Sequence, residues 1–171
     1  GASLLIAAGG DGTANEVVDG MLQAGGGAAL GVISVGTGRD FIRTLGNSAD
    51  LTAAVDAIGS GRVRSIDAGR VSYIGDDGTP AQRYFLNVAS LGVSGPTVRA
   101  VNASKQGRQV HGKVAFYYHT VMELLKYRPQ RVRVRFDSGE TIEVSTALVA
   151  IANGRYFGSG MMIAPDAAID D

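Results

Sequence analysis

No cysteine occurs among the 171 residues, which removes disulfides, thiolate zinc sites and cysteine nucleophiles and fits a reducing cytosol. There is no charge excess either. Sixteen Lys and Arg balance sixteen Asp and Glu, so no global field points to nucleic acid and any electrostatic argument must be local. No apolar run approaches the roughly 20 residues that span a bilayer, and the first residues lack a basic stretch followed by a long apolar one. The expectation is a chain that neither crosses a membrane nor is secreted on its own. Fixed-period repeats are absent, which excludes solenoids. What is present is a globular composition, 45% hydrophobic and 19% charged, enough for one or two modest cores.

From Ser3 to about Ile66, short apolar strands alternate with helix-like stretches. Ser3–Ala7 and Leu30–Val35 read as strands, and Asn15–Gln23 carries Val17, Val18, Met21 and Leu22 at helical spacing. Strand, helix, strand is the unit of a parallel sheet. Gly25, Gly26 and Gly27 end that helix, Asp40–Leu45 reads as a short helix, and Asp50–Ile58 as a longer one capped by Ser48 or Asp50. After Gly61 the pattern changes to successive strands with turns at Gly75–Gly78 and Asp137–Glu140, interrupted by one long helix over Val110–Tyr127. The expected fold is α/β plus mostly β: a truncated parallel-sheet nucleotide-binding domain over residues 1–64, then an antiparallel β-sandwich-like domain over 65–171. Ser3–Ala7 has nothing before it to pair with, and the final IAPDAAIDD has no closing element after it, so the chain is expected to be a piece of something longer.

The chemistry concentrates in AGGDGTANEVVDG, residues Ala8 to Gly20, directly behind the first strand. A glycine loop between strand and helix exposes backbone N–H groups at the positive end of the helix dipole, which suits phosphate. Gly9, Gly10 and Gly12 admit oxygens where a Cβ would collide. Asp11 needs a divalent cation, a hydroxyl or a water between itself and phosphate; Thr13 can donate to phosphate, and Asn15 and Glu16 open the helix. The ending is not the Gly-Lys-Ser/Thr of a P-loop, nor is this the dinucleotide G-x-G-x-x-G. A second glycine turn, Val35-Gly36-Thr37-Gly38-Arg39-Asp40-Phe41, follows the next strand. Two such loops at successive strand ends converge where open α/β sheets bind ligands.

GGDGTANEVVDG followed by VGTGRDFIRTLG resembles the catalytic domain of the diacylglycerol kinase superfamily, most of all the soluble bacterial lipid kinases, with sphingosine and ceramide kinases as relatives. GGDGT alone is shared with NAD kinases and resembles phosphofructokinases; GT-x-x-DF-x-R separates the lipid kinases from both. RSIDAGRV, YFLNVASLGVSG and NGRYFGSGMMIAPDAAIDD resemble later segments of the family, so the likeness covers nearly the whole chain. It implies ATP- and Mg2+-dependent phosphorylation of a lipid hydroxyl, foremost diacylglycerol giving phosphatidic acid, by a cytoplasmic enzyme transiently peripheral to the membrane; a homodimer is admitted. Gly9, Gly10, Asp11, Gly12, Thr13, Asn15, Glu16 and Thr37 carry over as nucleotide contacts, and Asp11, Asp40 and Asp67 as the catalytic acidic network at a domain cleft. Asp171 carries over as the acid of a structural magnesium site, and Lys113 as a basic residue facing substrate. The family usually has Asn where Arg39 stands, and Arg39 is long enough to reach a phosphate or lipid headgroup. The family's general base, in an Asp-Gly-Glu segment, and its first strand have no counterpart here, so the chain alone is expected to be inactive. The alternatives are a nucleotide kinase of the NAD kinase type and a catalytically silent nucleotide-binding regulator.

The remaining signals have plainer readings. His111 and His119 are eight apart, too far for an i, i+4 metal pair. From Lys105 to Arg135 basic residues outnumber acidic ones; a solvated face explains that, and a surface that meets anionic lipid is the sharper alternative. The aromatics form no stacking platform for bases, so nucleic acid is not an expected partner.

Overall fold

A computed structural model describes residues 1–106 and 113–171, with the side chains of 104–106 and 113–116 left aside. The chain divides into two compact units, Gly1–Ala89 with Ala152–Asp171, and Ser90–Ile151.

In the first unit, β1 (Leu4–Gly9) and β2 (Ala29–Ser34) pair in parallel from Leu4↔Ala29 to Gly9↔Ser34, joined by helix α1 (Asp11–Gln23). The expected strand–helix–strand unit is therefore present. α1 begins at Asp11 rather than Asn15, because Gly10 serves as its N-cap and Gly12 lies inside its first turn. Its end falls at Gly25, Gly26 and Gly27, all at positive φ, the conformation that glycine adopts without a Cβ penalty. α2 (Asp40–Leu45) and α3 (Leu51–Gly59) follow, and the Asp50 carboxylate caps α3 by accepting from Ala53 N at 2.9 Å. β3 (Gly69–Ile74) and β4 (Pro80–Phe85) form an antiparallel hairpin. β9 (Tyr156–Phe157) and β10 (Met161–Met162) form a short antiparallel pair.

Ala7, Ala14, Val18, Phe41, Leu86 and Ile169 make the core, with Val17, Met21, Leu22, Leu30, Val32, Leu45 and Ile66 packed against it. Phe41 is 2% exposed, a burial worth roughly 1.5–3 kcal/mol. Position 41 is thus fixed by apolar packing immediately beside Asp40. A buried carboxylate pins α1 to the hairpin: Asp19 accepts from Arg83 Nη1 at 2.6 Å, Tyr84 N at 2.9 Å and Gln23 Nε2 at 2.9 Å. Those donors, the Tyr84 amide foremost, hold its pKa down at about 2.

In the second unit, β5 (Val88–Gly92) and β8 (Leu148–Ala152), by which the chain enters and leaves, pair with one another. Between them lie α4 (Ser94–Gln106), α5 (Lys113–Lys126) and the antiparallel hairpin of β6 (Gln130–Arg135) and β7 (Thr141–Thr146). The long helix expected over Val110–Tyr127 is α5, with 110–112 outside the described residues, and α4 is a second helix among the described residues that the sequence pattern does not suggest. α4 carries Gly95 and Pro96 in its first turn, where proline is tolerated because the first N–H groups have no intrahelical partner. His111 lies outside the described residues. His119 is half-buried, with its ring edge-on to Tyr118 at 5.3 Å between centroids. Among the described residues, no helix is long and apolar enough to cross a membrane.

Candidate active site

Three segments of the first unit meet: residues 9–12 at the junction of β1 and α1, residues 35–39 after β2, and residues 158–160 between β9 and β10. Parallel pairing brings the first two together, since Gly9 and Ser34 are register partners and Val35 N donates to Gly9 O at 3.0 Å. The glycines decide how close they come. A Cβ on Gly36 would stand 2.5 Å from Gly10 Cα, and one on Gly38 would stand 2.7 Å from Asp11 Oδ2. Both are far inside the 3.5–4.0 Å of ordinary carbon contact. Gly36 is therefore small so that two backbones can touch, whereas a Cβ on Gly10 would stand in ordinary contact, 3.6 Å from Gly36 Cα, and one on Gly12 would point into open space.

Arg39 occupies the N-cap of α2 in the left-handed conformation, φ 59° and ψ 29°, where asparagine is far more at home than arginine. Its side chain supplies no cap, and its Nε instead donates to Gly36 O at 3.1 Å. The missing acceptor comes from the other loop: Asp11 Oδ1 accepts from Phe41 N at 3.0 Å. One carboxylate thus opens α1 and caps α2. Arg39 also lines a groove of about 300 Å³ with Ser34, Val35, Asp50, Leu51 and Ala54.

Asp40, 6% exposed, accepts from Ser159 N at 2.8 Å and pairs with Arg43 Nη1 at 3.3 Å. Arg43 Nη1 also donates to Gly38 O at 2.8 Å. Burial raises the Asp40 pKa, the Ser159 and Gly160 amides and Arg43 oppose that, and the negative charge of Asp11 adds to it. A Cβ on Gly38 would lie within 4 Å of Asp11 Oδ2, Asp40 Oδ2 and Ser159 Oγ. Ser159 itself has φ 73° and is flanked by left-handed Gly158 and Gly160, a sequence of turns that aims its N–H at Asp40.

A polar cluster holds that third loop in place. Thr44 Oγ1 lies 3.1 Å from both Asp40 O and Asn87 Oδ1 and accepts from Arg155 N at 3.2 Å, while Asn87 Nδ2 donates to Tyr156 O at 2.6 Å. Asn153 Nδ2 reaches Leu86 O at 2.7 Å and Asp67 O at 2.9 Å. Gly154 is small because a Cβ there would meet Asn87 Oδ1. Sequence reasoning names none of Arg43, Thr44, Asn87 or Ser159 as site residues. The signals available were the place of Arg43 at the end of the GT-x-x-DF-x-R motif, three residues after Asp40, and the Gly158-Ser159-Gly160 turn, which reads as a loop near the cleft.

The other expected residues fall as follows. Gly12 and Thr13 lie exposed in the first turn of α1, whose N-terminus no side chain caps, and Thr37 and Glu16 are exposed. Asn15 Oδ1 accepts from Leu86 N at 3.1 Å, tying α1 to the segment after β4. The Asp67 carboxylate is exposed and makes no hydrogen bond or ion pair among the described residues; its main chain does, with N donating to Ile169 O at 2.7 Å. Asp171 is exposed, and the described residues contain no group of three metal-ligating side chains. The Lys113 side chain lies outside the described residues. Asp11 and Asp40 are the two acids brought together.

Two family models match the chain, the diacylglycerol kinase catalytic domain over residues 1–71 and the YegS C-terminal NAD kinase beta sandwich-like domain over residues 87–171. The chain belongs to the diacylglycerol kinase catalytic-domain superfamily. Within that superfamily it is 33% identical over 169 residues to "Diacylglycerol kinase" of Bacillus subtilis (strain 168), covering 98% of this chain and 52% of that protein. It is 32% identical to "Probable lipid kinase YegS-like" of Klebsiella pneumoniae (strain 342), again over 98% and 52%. A crystal structure of a diacylglycerol kinase from Bacillus anthracis str. Sterne superposes with a TM-score of 0.67 at 25% identity, over 99% of this chain and 51% of that one. The chain spans about half the length of the curated relatives it matches.

Proposed function

We propose that this chain carries the nucleotide-binding core of an ATP-dependent lipid kinase that transfers the γ-phosphoryl group to a lipid hydroxyl, with diacylglycerol as acceptor and phosphatidic acid as product. One observation carries the reading: Asp11 Oδ2 and Asp40 Oδ2 both lie within 4 Å of the point where a Cβ on Gly38 would stand, next to the uncapped N-terminus of α1. Phosphoryl transfer asks little covalent chemistry of a protein and mostly positioning and charge neutralisation. The α1 N-terminus and the exposed Gly12 and Thr13 offer donors to phosphate oxygens. Thr37 stands at the facing loop and offers a further hydroxyl. Asp11 and Asp40 would hold Mg2+, and the donor set fits: two hard carboxylate ligands, with no third acid beside them among the described residues, suit an ion that keeps waters and takes its remaining ligands from phosphate. Bound there, the ion would neutralise charge on the transferring group. Arg43 and the Ser159 amide keep Asp40 in place, and the Phe41 amide keeps Asp11 in place. Asp67 and Asp171 have no such partners among the described residues, and their catalytic and structural-magnesium roles rest on the family resemblance. The enzyme is proposed to work from the cytoplasmic side, reaching its lipid at the membrane surface.

The test is transfer of label from γ-labelled ATP with magnesium by the complete protein, against diacylglycerol, other hydroxyl lipids and NAD. Labelled lipid is expected. Labelled NAD without labelled lipid would overturn the reading, and ATP binding with no labelled product would replace it by a silent nucleotide sensor.

A further inference from the structure

The chain as a whole is neutral, yet Lys126 to Arg135 holds five cations, Lys126, Arg128, Arg131, Arg133 and Arg135, and no acid. The structure turns part of that run into a surface. Arg131, Arg133 and Arg135 alternate along β6 with the half-buried Val132 and Val134, so strand periodicity puts all three guanidinium groups on one face, about 7 Å apart. Their register partners on β7 are Ser145, Glu143 and Thr141. Glu143 is the single acid among these six residues, and it binds Arg133 through Nε and Nη2, each at 2.6 Å. Arg131 and Arg135 are exposed, face neutral residues across the hairpin, and make no ion pair among the described residues.

We infer that the outward face of the β6–β7 hairpin is a docking surface for anionic phospholipid, made by Arg131 and Arg135 around the Arg133–Glu143 pair. An ordinary solvated strand face mixes charges of both signs. Here every outward side chain of β6 between its first residue and its end is arginine, the cation whose planar fork pairs with phosphate oxygens. The turn beyond β6 carries Asp137 and Glu140, which repel an anionic surface, so the strand face meets it and the turn points away. Among polyanions a bilayer is favoured over nucleic acid, because the face carries no aromatic ring on which a base could stack. The inference rests on the lipid-kinase reading for why a membrane would be visited, but not for the charge pattern itself.

Each Lys or Arg near an anionic bilayer contributes about fivefold in partitioning. The complete protein is therefore compared, by co-sedimentation, on mixed phosphatidylglycerol and phosphatidylcholine vesicles and on pure phosphatidylcholine vesicles. Arg131→Gln with Arg135→Gln is expected to lower partitioning onto the anionic vesicles about 25-fold and to leave turnover of a short-chain, water-soluble diacylglycerol unchanged. Glu143→Gln is expected to raise partitioning onto the anionic vesicles alone, since it removes the one opposing charge, whereas apolar surface exposed by unfolding would raise it on pure phosphatidylcholine as well. Equal binding of both variants and the parent to anionic vesicles would overturn the inference. So would a double variant that loses binding to duplex DNA while keeping binding to vesicles. Arginine-dependent vesicle binding in a protein that phosphorylates no lipid would uphold the surface and sink the kinase reading alone.

Discussion

Gly36→Ala and Gly38→Ala add the same methyl group two residues apart, and they should fail in different ways. At position 36 the new Cβ would stand 2.5 Å from Gly10 Cα and 3.3 Å from Gly10 N, more than 1 Å inside normal contact, and the obstacle is backbone. Neither loop can yield cheaply. Gly9 is paired with Ser34, and Val35 N donates to Gly9 O at 3.0 Å, so relief means pulling the ends of two paired strands apart. Overpacking costs about 1–3 kcal/mol and the loss of that hydrogen bond about 1 kcal/mol more. Gly36→Ala should therefore be less stable by about 2–4 kcal/mol, a Tm lower by about 5–15 °C for a chain of this size. At position 38 the obstacle is Asp11 Oδ2 at 2.7 Å, a carboxylate that can swing aside. Swinging it weakens the cap on Phe41 N, a loss of about 1 kcal/mol, but it displaces the acid at the centre of the proposed site. A misplacement near 1 Å costs on the order of 100-fold in rate. Urea unfolding and phosphoryl transfer measured on both variants separate the two effects. A Gly36→Ala protein as stable as the parent would refute the backbone contact, and a fully active Gly38→Ala protein would refute the role given to Asp11.

Three further outcomes are expected. Asp19 has its pKa lowered to about 2 by the Tyr84 amide, Arg83 and Gln23, so its stabilising contribution is complete above the unfolded value near 3.8 and is lost as pH falls through about 2; Asp19→Asn should flatten the acid limb of a stability profile measured by urea unfolding across that window. Asp11→Asn keeps an oxygen for Phe41 N and removes the charge that helps to raise the Asp40 pKa. Stability linked to a raised carboxyl pKa is full below the unfolded value and is lost as pH rises through the folded one, so this variant should be slightly more stable than the parent at neutral pH and should transfer no phosphate; loss of its circular-dichroism signal would refute the first half, normal turnover the second. Arg39→Asn should raise stability by about 0.5–1 kcal/mol by recovering part of the left-handed cost of a long side chain, and an unchanged unfolding midpoint would show that the bond from Arg39 Nε to Gly36 O offsets it.

What could be read from the sequence was local. Ala29–Ser34, Asp40–Leu45 and the Gly75–Gly78 turn are marked by apolar runs, a glycine turn and a cap, and the structure has them within a residue or so of the expected bounds. Glycine misleads in one place and a helix is missed in another: Gly12 reads as loop although it lies inside α1, and α4, with Gly95 and Pro96 in its first turn, has no counterpart in the sequence reading. The convergence of Asp11 and Asp40 was legible because each follows a strand and parallel neighbours end at the same edge. Ser159 was not legible, since its contact with Asp40 spans 119 residues of sequence and is made by a backbone N–H, a group that every residue except proline carries.

The arrangement around Asp40 also explains why distant residues should matter to the site. An acid that is buried and faces a second acid is costly to ionise, and its charge persists only while enough donors point at it. Two of those donors, the Ser159 and Gly160 amides, belong to a loop with three successive left-handed residues that has no strong local reason to keep its shape. What holds the loop is the cluster that begins one helical turn past Asp40: Thr44 beside Asn87, Asn87 Nδ2 on Tyr156 O, and Asn87 O accepting from the amides of Asn153 and Gly154. Asn87→Leu removes the side-chain links and leaves the main chain able to form the rest. Its effect should therefore appear twice, as a stability loss of about 1–3 kcal/mol from half-buried partners left unpaired and as a fall in kcat with little change in KM for ATP, because Gly12 and Thr13 are untouched. A variant that loses stability while keeping kcat would show that the third loop holds its place without Asn87, and would confine the site to the two glycine turns.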